Sequence, residues 1–494
     1  MSKWWQYGIG GAAALLAAYG GASWWAGKGA EQALQQQLQQ IGKLPYFTIR
    51  SSHYQRGWLS AEQTVELELT DSLTWPYQAY LKFTDKPYHP IRVRYRNHIQ
   101  HGPLPLLGRF DLRPAKAHVE TELLLSTDAR KALRPFFGDQ PPIRIENRIA
   151  FSNDGHIRLS VPSVDYQEAI SGVKVQWQGL RSAIDYAGDY NRYQVDGLLP
   201  GILLDAASKG SIGIGRIGLH TESQRGVAGL MLGKGQATLA SLTVKATEPT
   251  PFQGGVQQLR YAYQTQARGD FLDSEVQLDL ASLQLGRQPY GPAAMVFVAR
   301  HLHAPTVARL EQMLSTLQRQ GLSSAEGENQ AFAQFRRTGL PLLRHDPELE
   351  LRKFDLRLPE GEVKLRGRLA LKGFEDADID QPLKLLDKIS ADADLKLPKK
   401  VVETYVRLLV RNILIERSGS ELTEEQVENI DSLAQQLVEG QIANLIDQQL
   451  IRNEGGVLAT TAAWRQGRLA VNGIDVPLPW QARPASHEPT PPAR

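Results

Sequence analysis

Apolar and polar residues alternate through most of the chain after residue 46. Segments such as TVELELT, IRVRYRNHI and VKVQWQGL place every second side chain on the same face of a strand. These segments are rich in β-branched and aromatic residues and are bounded by Gly, Pro, Asn or Asp. Because strand follows strand without a long helical pattern between them, the sequence predicts hairpins and an antiparallel, β-rich region over residues 46–300.

The period of the apolar positions lengthens to that of a helix later in the chain. In APTVARLEQMLSTLQRQ the apolar residues recur on one helical face, which predicts a helical insertion over residues 301–345. Alternating strands return in residues 346–480, interrupted by two amphipathic helices within residues 398–451. A last hairpin, GVLATTAAWRQGRLAVNGI, closes this region, and the Pro-rich residues 481–494 are predicted to be disordered.

The amino-terminal segment has no charged residue between Lys3 and Lys28. As a helix, its 24 uncharged residues would extend about 36 Å, and the hydrocarbon core of a bilayer is about 30 Å thick. Paired tryptophans stand at both ends, and indole rings favour the headgroup level. The sequence therefore predicts a membrane anchor over residues 1–28 and a helical stalk over residues 29–45. The predicted interface residues are Lys3, Trp4, Trp5, Trp24, Trp25 and Lys28.

A cleaved leader is the alternative interpretation of this segment. Residues 9–18 have the length of a signal-peptide core, and Gly20-Gly21-Ala22 is a small-x-small site that would leave Ser23 first. The bulky tryptophan pair just after that site favours the uncleaved anchor. No other stretch approaches 18 apolar residues, so we expect a single span, with the amino terminus in the cytoplasm and the remaining chain on the other side of the membrane.

Composition and charge restrict the classes of function. The formal net charge of +3 argues against a nucleic-acid-binding protein, and the absence of cysteine excludes disulfides and thiolate chemistry. Residues 81–134 contain eleven Lys or Arg and five acids, whereas residues 418–451 contain seven acids and no Lys or Arg. These regions are either solvated faces or surfaces that meet, within a chain or across a dimer. The basic region is also suited to anionic lipid headgroups.

No motif predicts catalysis or a bound cofactor. GIGRIG at residues 213–218 fits the dinucleotide fingerprint, but the following LHTESQRG lacks the helical pattern which that fingerprint requires. Asp376, Asp378, Asp380 and Asp387 match four positions of a calcium loop that lacks its glycine and its final Glu. We therefore predict a non-enzymatic protein with no catalytic residue, no metal and no cofactor.

Three motifs resemble those of one family. HYQRGWLSAEQTVELEL at 53–69 resembles the start of the body in the YdgA/YihF family of Gram-negative envelope proteins. NHIQHGPLP at 97–105 resembles their His-Gly-Pro turn, and WRQGRLAVNGI at 464–474 resembles their closing hairpin. The resemblance implies a single-span inner-membrane protein with a large periplasmic part, and it implies no activity. The matching positions, for which we expect structural roles, are Tyr54, Arg56, Gly57, Ser60, His101, Gly102, Pro103, Gly467, Asn472 and Gly473.

The sequence thus predicts an α+β envelope protein: one transmembrane helix, a long curved antiparallel β-structure, and a helical unit near the carboxyl terminus. Two functions remain open. The first is a scaffold that self-associates or binds an envelope protein through its late helices or its sheet edges. The second is a lipid-binding or lipid-chaperoning module with an apolar β-groove that shelters phospholipid. A continuous, solvent-open apolar groove would favour the second function, and a filled core would favour the first.

Overall fold

A computed structural model describes residues 3–71, 73–74, 77–78, 81, 87–247, 251–320, 325–418 and 424–478. It confirms an α+β chain in which antiparallel strands predominate. The chain divides into two compact units, one of residues 1–270 with 304–339 and the other of residues 271–303 with 340–494. The predicted disordered tail, 481–494, lies outside the described residues.

The first unit is built on fifteen described strands. They are β1 Phe47–Arg56, β2 Ser60–Leu69, β3 Arg92–His101, β4 Ala117–Leu123, β5 Arg144–Ile149, β6 Gly155–Val161, β7 Val164–Gln167, β8 Lys174–Trp177, β9 Leu180–Tyr186, β10 Arg192–Leu199, β11 Ile202–Asp205, β12 Gly210–Ile214, β13 Ile217–Arg225, β14 Met231–Ala246 and β15 Phe252–Arg268. All described pairings are antiparallel, in the order β1-β2-β3-β4-β5-β6-β9-β10-β13-β14-β15. The second half of β14 pairs with β12, which begins a side branch through β11 and β8 to β7.

The two faces of this sheet differ in chemistry because the strands alternate. Along β2, Gln63, Val65 and Leu67 are buried on one face, and the residues between them point to the other. The second face carries charged pairs across neighbouring strands. Glu68 accepts hydrogen bonds from Arg50 on β1 and Arg92 on β3, and the bond from Arg50 holds the pKa of Glu68 below its usual range.

The glycines of GIGRIG lie within this sheet and do not open a helix. Gly213 is in β12 and Gly218 is in β13. A Cβ at Gly213 would lie 2.7 Å from the Oγ1 of Thr243, and a Cβ at Gly218 would lie 2.9 Å from the Oγ1 of Thr238. Small residues are therefore required at both positions because side chains on the neighbouring strand already fill the space.

One long helix, α1, runs unbroken from Lys3 to Lys43. The predicted stalk is thus not a separate element, and α1 packs against the apolar face of the first sheet. Ala30, Ala33 and Leu34 form a buried cluster with residues of β2 to β5, namely Ala61, Ile99, Ala117, Val119 and Ile149. Small residues on the inward side of α1 let its backbone approach the sheet closely. Among the described residues, no helix combines the length and the mean hydropathy expected of a membrane span.

The second unit contains ten described strands. They are β16 Phe271–Leu285, β17 Gln288–Tyr290, β18 Ala293–His303, β19 Glu348–Leu358, β20 Gly361–Leu371, β21 Ile389–Pro398, β22 Arg452–Glu454, β23 Val457–Arg465, β24 Arg468–Val471 and β25 Ile474–Val476. They pair antiparallel in the order β16-β18-β19-β20-β21-β23-β24-β25. β17 also pairs with β16, and β22 pairs with the start of β23.

The remaining helices agree in part with the sequence pattern. They are α2 Thr127–Phe137, α3 Ala304–Gln320, α4 Ala325–Leu343, α5 Pro382–Lys388, α6 Lys399–Ser418 and α7 Glu424–Asp447. The insertion after residue 300 and the two late helices were predicted. Helix α2 was not, although Ser126 caps it by accepting a hydrogen bond from the amide of Ala129 at 3.1 Å.

Candidate functional surfaces

His101 ends strand β3 and is buried against α1. Its Nδ1–H donates a hydrogen bond to the main-chain oxygen of Ser23 at 3.0 Å, and the side chain is only 2% exposed. The ring lies against Gly27, where a Cβ would come within 2.6 Å of the His101 Cε1. Burial lowers the pKa of His101, so the imidazole is held neutral between the helix and the sheet.

Gly102 and Pro103 continue this contact beyond the strand. Gly102 has a φ of 137°, and a Cβ there would lie 2.7 Å from the Oγ of Ser23. Its amide donates to the oxygen of Lys116 at 3.1 Å, while the oxygen of Pro103 accepts from Ala115. The His-Gly-Pro turn therefore closes the base of the β3–β4 connection and fits closely around the helix.

The Tyr-x-Arg-Gly motif approaches α1 from strand β1. Tyr54 packs against the buried cluster, and burial raises its pKa to about 12. The guanidinium of Arg56 lies 3.3 Å from the Oε2 of Glu31 and 5.6 Å from the ring centroid of Trp24. These contacts join the end of β1 to two successive turns of the helix.

The turn after Arg56 is tight. The amide of Gly57 donates to the oxygen of Ser60 at 2.8 Å, and a Cβ at Gly57 would lie 2.8 Å from that same oxygen. The Tyr-x-Arg-Gly motif and the His-Gly-Pro turn are distant in the chain, and the fold brings both against the same stretch of α1.

The sequence predicted structural roles for the residues of both motifs. It did not predict that both would contact α1.

The last motif lies in the second unit, at the end of its sheet. The amide oxygen of Asn472 accepts from the main-chain N–H of Thr461 at 3.0 Å, and its Nδ2 donates to the oxygen of Gln449 at 2.9 Å. Asn472 and Gly473 have φ angles of 49° and 84° in the turn between β24 and β25. Gly467, with φ 74°, forms the preceding turn, where a Cβ would lie 2.4 Å from the Oδ1 of Asp387.

The predicted interface residues are distributed along α1. Lys3, Trp4 and Trp5 lie in its first turns, and Lys28 is exposed in its middle. Trp24 and Trp25 are 47% and 61% exposed. Trp25 also stacks on Phe151 with ring centroids 6.5 Å apart, which joins the middle of the helix to the turn after β5.

The spacing of small residues along α1 is a sequence pattern that predicts its docking on the sheet. Ser23, Ala26, Gly27, Ala30, Ala33 and Leu34 are spaced by three, one, three, three and one positions. This spacing places small residues on one helical face, and it coincides with the residues that the sheet buries. Because the pattern begins inside the uncharged segment, the same small residues also suited a membrane-spanning helix.

A second surface is the helical hairpin of α6 and α7 in the second unit. Arg411 on α6 and Asp431 on α7 form an ion pair at 2.8 Å. Val438, Ile442 and Leu458 are buried together, and Val402 and Val410 pack beside them. The hairpin is therefore fixed to the sheet by one part of its apolar surface.

The rest of that apolar surface is exposed. On α6, Tyr405, Leu409 and Ile413 follow one another at four-residue spacing and are 47%, 60% and 41% exposed. On α7, Leu433 and Leu437 are 46% and 45% exposed. Large apolar side chains at this spacing form a contiguous stripe, and a contiguous exposed stripe on a helix is typical of a binding surface.

The two helices of the hairpin carry opposite charge. Helix α6 contains five Lys or Arg and two Glu, and α7 contains six Asp or Glu and no basic residue. Arg407 on α6 and Glu428 on α7 are both exposed. The exposed apolar residues therefore lie on one helix that is mainly basic and on one that is acidic.

The residues of the calcium-like loop serve a structural purpose. Asp378 forms an ion pair with Lys388 at 2.7 Å, and Asp376 forms another with Arg344. These contacts lower the pKa of both carboxyls. Across the described ranges, no group of three or more His, Asp or Glu side chains is arranged to hold a metal ion.

Together these features define an α+β protein of two antiparallel sheet units, with a long amino-terminal helix built into the first and an apolar helical hairpin on the second. The chain belongs to the family described as "Bacterial protein of unknown function (DUF945)", whose model matches residues 1–479. It is similar to Protein YdgA of Escherichia coli strain K12, with 21% identity over 499 residues that cover 94% of this chain and 93% of the relative. No solved structure matches the chain.

Proposed function

We propose that this protein is an inner-membrane-anchored, periplasmic scaffold that self-associates through the helical hairpin α6–α7. The observation that carries the proposal is the exposed apolar stripe of Tyr405, Leu409 and Ile413 on α6, with Leu433 and Leu437 also exposed on α7 of the same hairpin. Covering such a stripe removes apolar area from water, which contributes about 25 cal/mol per Å².

Charge supports a second copy of the same chain as the partner. A basic α6 and an acidic α7 lie side by side, so a two-fold axis over the stripe would bring each helix against the opposite helix of the other copy. A two-fold interface uses the same patch on both subunits and must be complementary to itself. The opposite charges of α6 and α7 are consistent with this requirement.

Grooves on the two sheets combine charged and apolar walls. In the first unit a groove is lined by Arg144, Arg158 and Arg181 and also by Leu159, Leu198 and Leu219. In the second unit a groove is lined by charged residues, among them Arg352, Arg366 and Asp392, and also by Leu351 and several alanines. A charged group in the wall costs free energy when an acyl chain displaces its water, so these two grooves suit acyl chains less well than a wholly apolar groove would.

The anchoring part of the proposal is supported by the amino-terminal sequence. The segment between Lys3 and Lys28 is uncharged, and its paired tryptophans suit the two headgroup regions of a bilayer. An amino terminus in the cytoplasm would leave both sheet units in the periplasm.

Cross-linking of the full chain in membranes tests self-association directly. Because the chain has no cysteine, Leu409→Cys introduces a single reactive site. Leu285→Cys is the matched control, since Leu285 is 48% exposed on β16 of the same unit. We expect a thiol cross-linker to join two copies through position 409 and not through position 285. Equal yields at the two positions would contradict the proposal.

A change to the stripe tests the strength of the interface. We expect Leu409→Glu to weaken self-association at least about tenfold, because it buries a charge among apolar residues. Leu285→Glu should leave the dissociation constant unchanged. Sedimentation of both full-chain variants in the same detergent measures the difference, with the thermal transition of each variant showing that it is folded.

Lipid binding is the second candidate, and one observation favours it. Leu349 and Leu369 face each other on β19 and β20 and are 37% and 44% exposed, so part of the apolar face of the second sheet is open. A photo-cross-linking amino acid at Leu369 should then capture phospholipid in native membranes. The adjacent Arg368, whose side chain points to the opposite face, is the control. Equal lipid labelling at the two positions would dismiss this candidate.

A further inference from the structure

Three connections of the first unit contact the same stretch of α1. A Cβ at Gly20 would lie 3.2 Å from the indole Nε1 of Trp58, in the β1–β2 turn. The hydroxyl of Tyr19 donates to the oxygen of Leu104, in the β3–β4 connection, at 3.2 Å. Trp25 stacks on Phe151 in the β5–β6 turn. All three connections therefore lie at one end of the sheet, around the point where α1 leaves it toward its amino terminus.

These connections expose large apolar side chains. We call this group the collar, and its members with their exposed fractions are Trp58 66%, Leu59 50%, Leu107 45%, Phe110 93%, Leu112 65% and Phe151 44%. Trp24 and Trp25 on the helix stand beside it. Single exposed apolar residues are normal on a protein surface. A group of them at one end of a sheet is instead typical of a binding surface.

Phe110 is held outward by an uncommon backbone. Its φ is 57°, in the left-handed region that a bulky side chain rarely adopts. The amide of Phe110 donates to the oxygen of Leu107 at 3.0 Å and so ends a short 3₁₀ helix over Leu107–Arg109. A strained position that presents an almost fully exposed ring is typical of a functional site.

The charged residues beside the collar have hydrogen-bond partners. Arg109 forms an ion pair with Glu120, and Arg113 forms one with Asp111. The ammonium of Lys116 is buried and bonds the side-chain oxygen of Asn153. Paired charges cost less to move toward a medium of low dielectric than isolated charges do, so the two arginines can approach such a medium as paired ions.

We propose that the collar inserts into the headgroup region of the bilayer that α1 enters. The proposal rests on the anchoring proposed above, because the uncharged segment of α1 leaves the sheet from the middle of the collar. Tryptophan, phenylalanine and leucine are the side chains that stabilise proteins at this depth. A helix rises about 1.5 Å per residue, so the contact of Trp58 with Gly20 places the turn about 6 Å nearer the bilayer centre than Trp24.

The uncharged segment of α1 is rich in small residues, and the collar would compensate for the apolar area that they lack. Thirteen of the 24 residues from Trp4 to Gly27 are Ala or Gly, which contribute little apolar area each. Insertion of the collar adds aromatic and leucine area to this weak span. It also fixes the sheet against the membrane surface, so that the first unit cannot rotate freely about the anchor.

Site-specific fluorescence in a bilayer tests the collar. Single cysteines are introduced into the full chain at Trp58, Phe110, Leu15 and Ile170, and each is labelled with an environment-sensitive dye. Leu15 lies in the uncharged segment, and Ile170, 96% exposed in the β7–β8 turn, is the matched control. The proteins are reconstituted into vesicles of phosphatidylethanolamine and phosphatidylglycerol that carry a nitroxide either near the headgroup or deep in the acyl chains.

We expect the dye at positions 58 and 110 to lose intensity mainly with the shallow nitroxide, the dye at 15 mainly with the deep one, and the dye at 170 with neither. If the dye at 15 were quenched but the dyes at 58 and 110, like the dye at 170, were quenched by neither nitroxide, the collar would be overturned and the anchor would stand. A blue-shifted but unquenched dye at 58 and 110 would also overturn it, since the collar would then contact protein. Shallow quenching at 58 and 110 without any quenching at 15 would overturn the anchor, and with it the collar as proposed, since the collar is placed at the bilayer that α1 enters.

Discussion

The imidazole Nδ1 of His101 lies 3.0 Å from the main-chain oxygen of Ser23, although the two residues are 78 positions apart. This bond joins the end of β3 to the helix that precedes the whole sheet. The bond makes Ser23 and the helical turns of α1 that follow it part of the core of the first unit. A change on this face of α1 should therefore affect the stability of the sheet as well as the helix.

Gly27 allows His101 to lie against the helix. We expect Gly27→Ala to lower the free energy of unfolding of the first unit by about 1–3 kcal/mol, because the new Cβ would overlap the ring. Gly21→Ala, on the same helix, adds a Cβ with nothing within 4 Å. This control should change stability by no more than the helix propensity of alanine, at most about 1 kcal/mol in the favourable direction. Denaturant unfolding of the full chain in detergent measures both, and equal values would refute the close approach.

The stability of the first unit should depend on pH through His101. Burial lowers its pKa in the folded state, so between that value and the unfolded value of about 6.5 the unfolded chain binds more protons. The free energy of unfolding should therefore be fully retained above pH about 6.5. It should fall as the pH decreases below that point, with a slope of at most about 1.4 kcal/mol per pH unit.

His101→Gln isolates this contribution, since a glutamine amide can still donate to Ser23 but does not titrate near neutral pH. We expect the variant to lose part of the pH dependence measured for the parent between pH 5 and 7, with chemical denaturation as the readout. The same substitution at the exposed His53 controls for the loss of a histidine as such. Parallel curves for the parent and His101→Gln would refute a neutral, buried imidazole.

Asn472 should stabilise the carboxyl-terminal hairpin. Asn472→Ala removes the side-chain bonds to Thr461 and Gln449 and leaves an alanine at a φ of 49°. We expect a loss of about 1–3 kcal/mol in the unfolding of the second unit. Asn472→Gly also removes the bonds but tolerates the φ, so it should lose less. If Asn472→Gly were less stable than Asn472→Ala, the positive φ at this position would not explain the loss of stability in the alanine variant.

Local sequence signals predicted the strands well because alternation is a local property. TVELELT and IRVRYRNHI became β2 and β3 with alternating burial. PEGE became the turn between β19 and β20. The contacts of α1 could not be predicted in this way. Its inward face carries alanine, glycine and serine, which serve equally in a membrane helix and against a sheet.

The exposed apolar residues on which the two proposals rest were the hardest to predict. Leu409 and Val410 are neighbours on one helix, yet the first is exposed and the second packs beside the buried cluster of the second unit. Only the position of α7 and of the sheet decides which part of an apolar stripe is covered. The collar likewise draws Trp58, Phe110 and Phe151 from three connections whose meeting depends on strand order.

Opposite charges on α6 and α7 lead to a last prediction about self-association. Arg407→Glu should weaken the association of two copies by up to about 1 kcal/mol, or up to about fivefold, because it places an acid against the acidic α7 of the other copy. Glu428→Arg should weaken it similarly against the basic α6. An equimolar mixture of the two variants should associate more tightly than either variant alone, since the mixed pair has opposite charges on both sides of the two-fold axis, one contact native and the other reversed.

Arg287→Glu is the control for this charge reversal, because Arg287 is exposed in the turn between β16 and β17, away from the hairpin in the chain. Raising the salt concentration from 0.1 M to 1 M shortens the screening length from about 10 Å to about 3 Å and should reduce the difference between the parent and Arg407→Glu. Fluorescence-detected sedimentation of differently labelled variants measures the mixed and unmixed pairs in one series. A mixture no tighter than its components would mean that the two helices do not face each other across the interface, even if Leu409 is found at its centre.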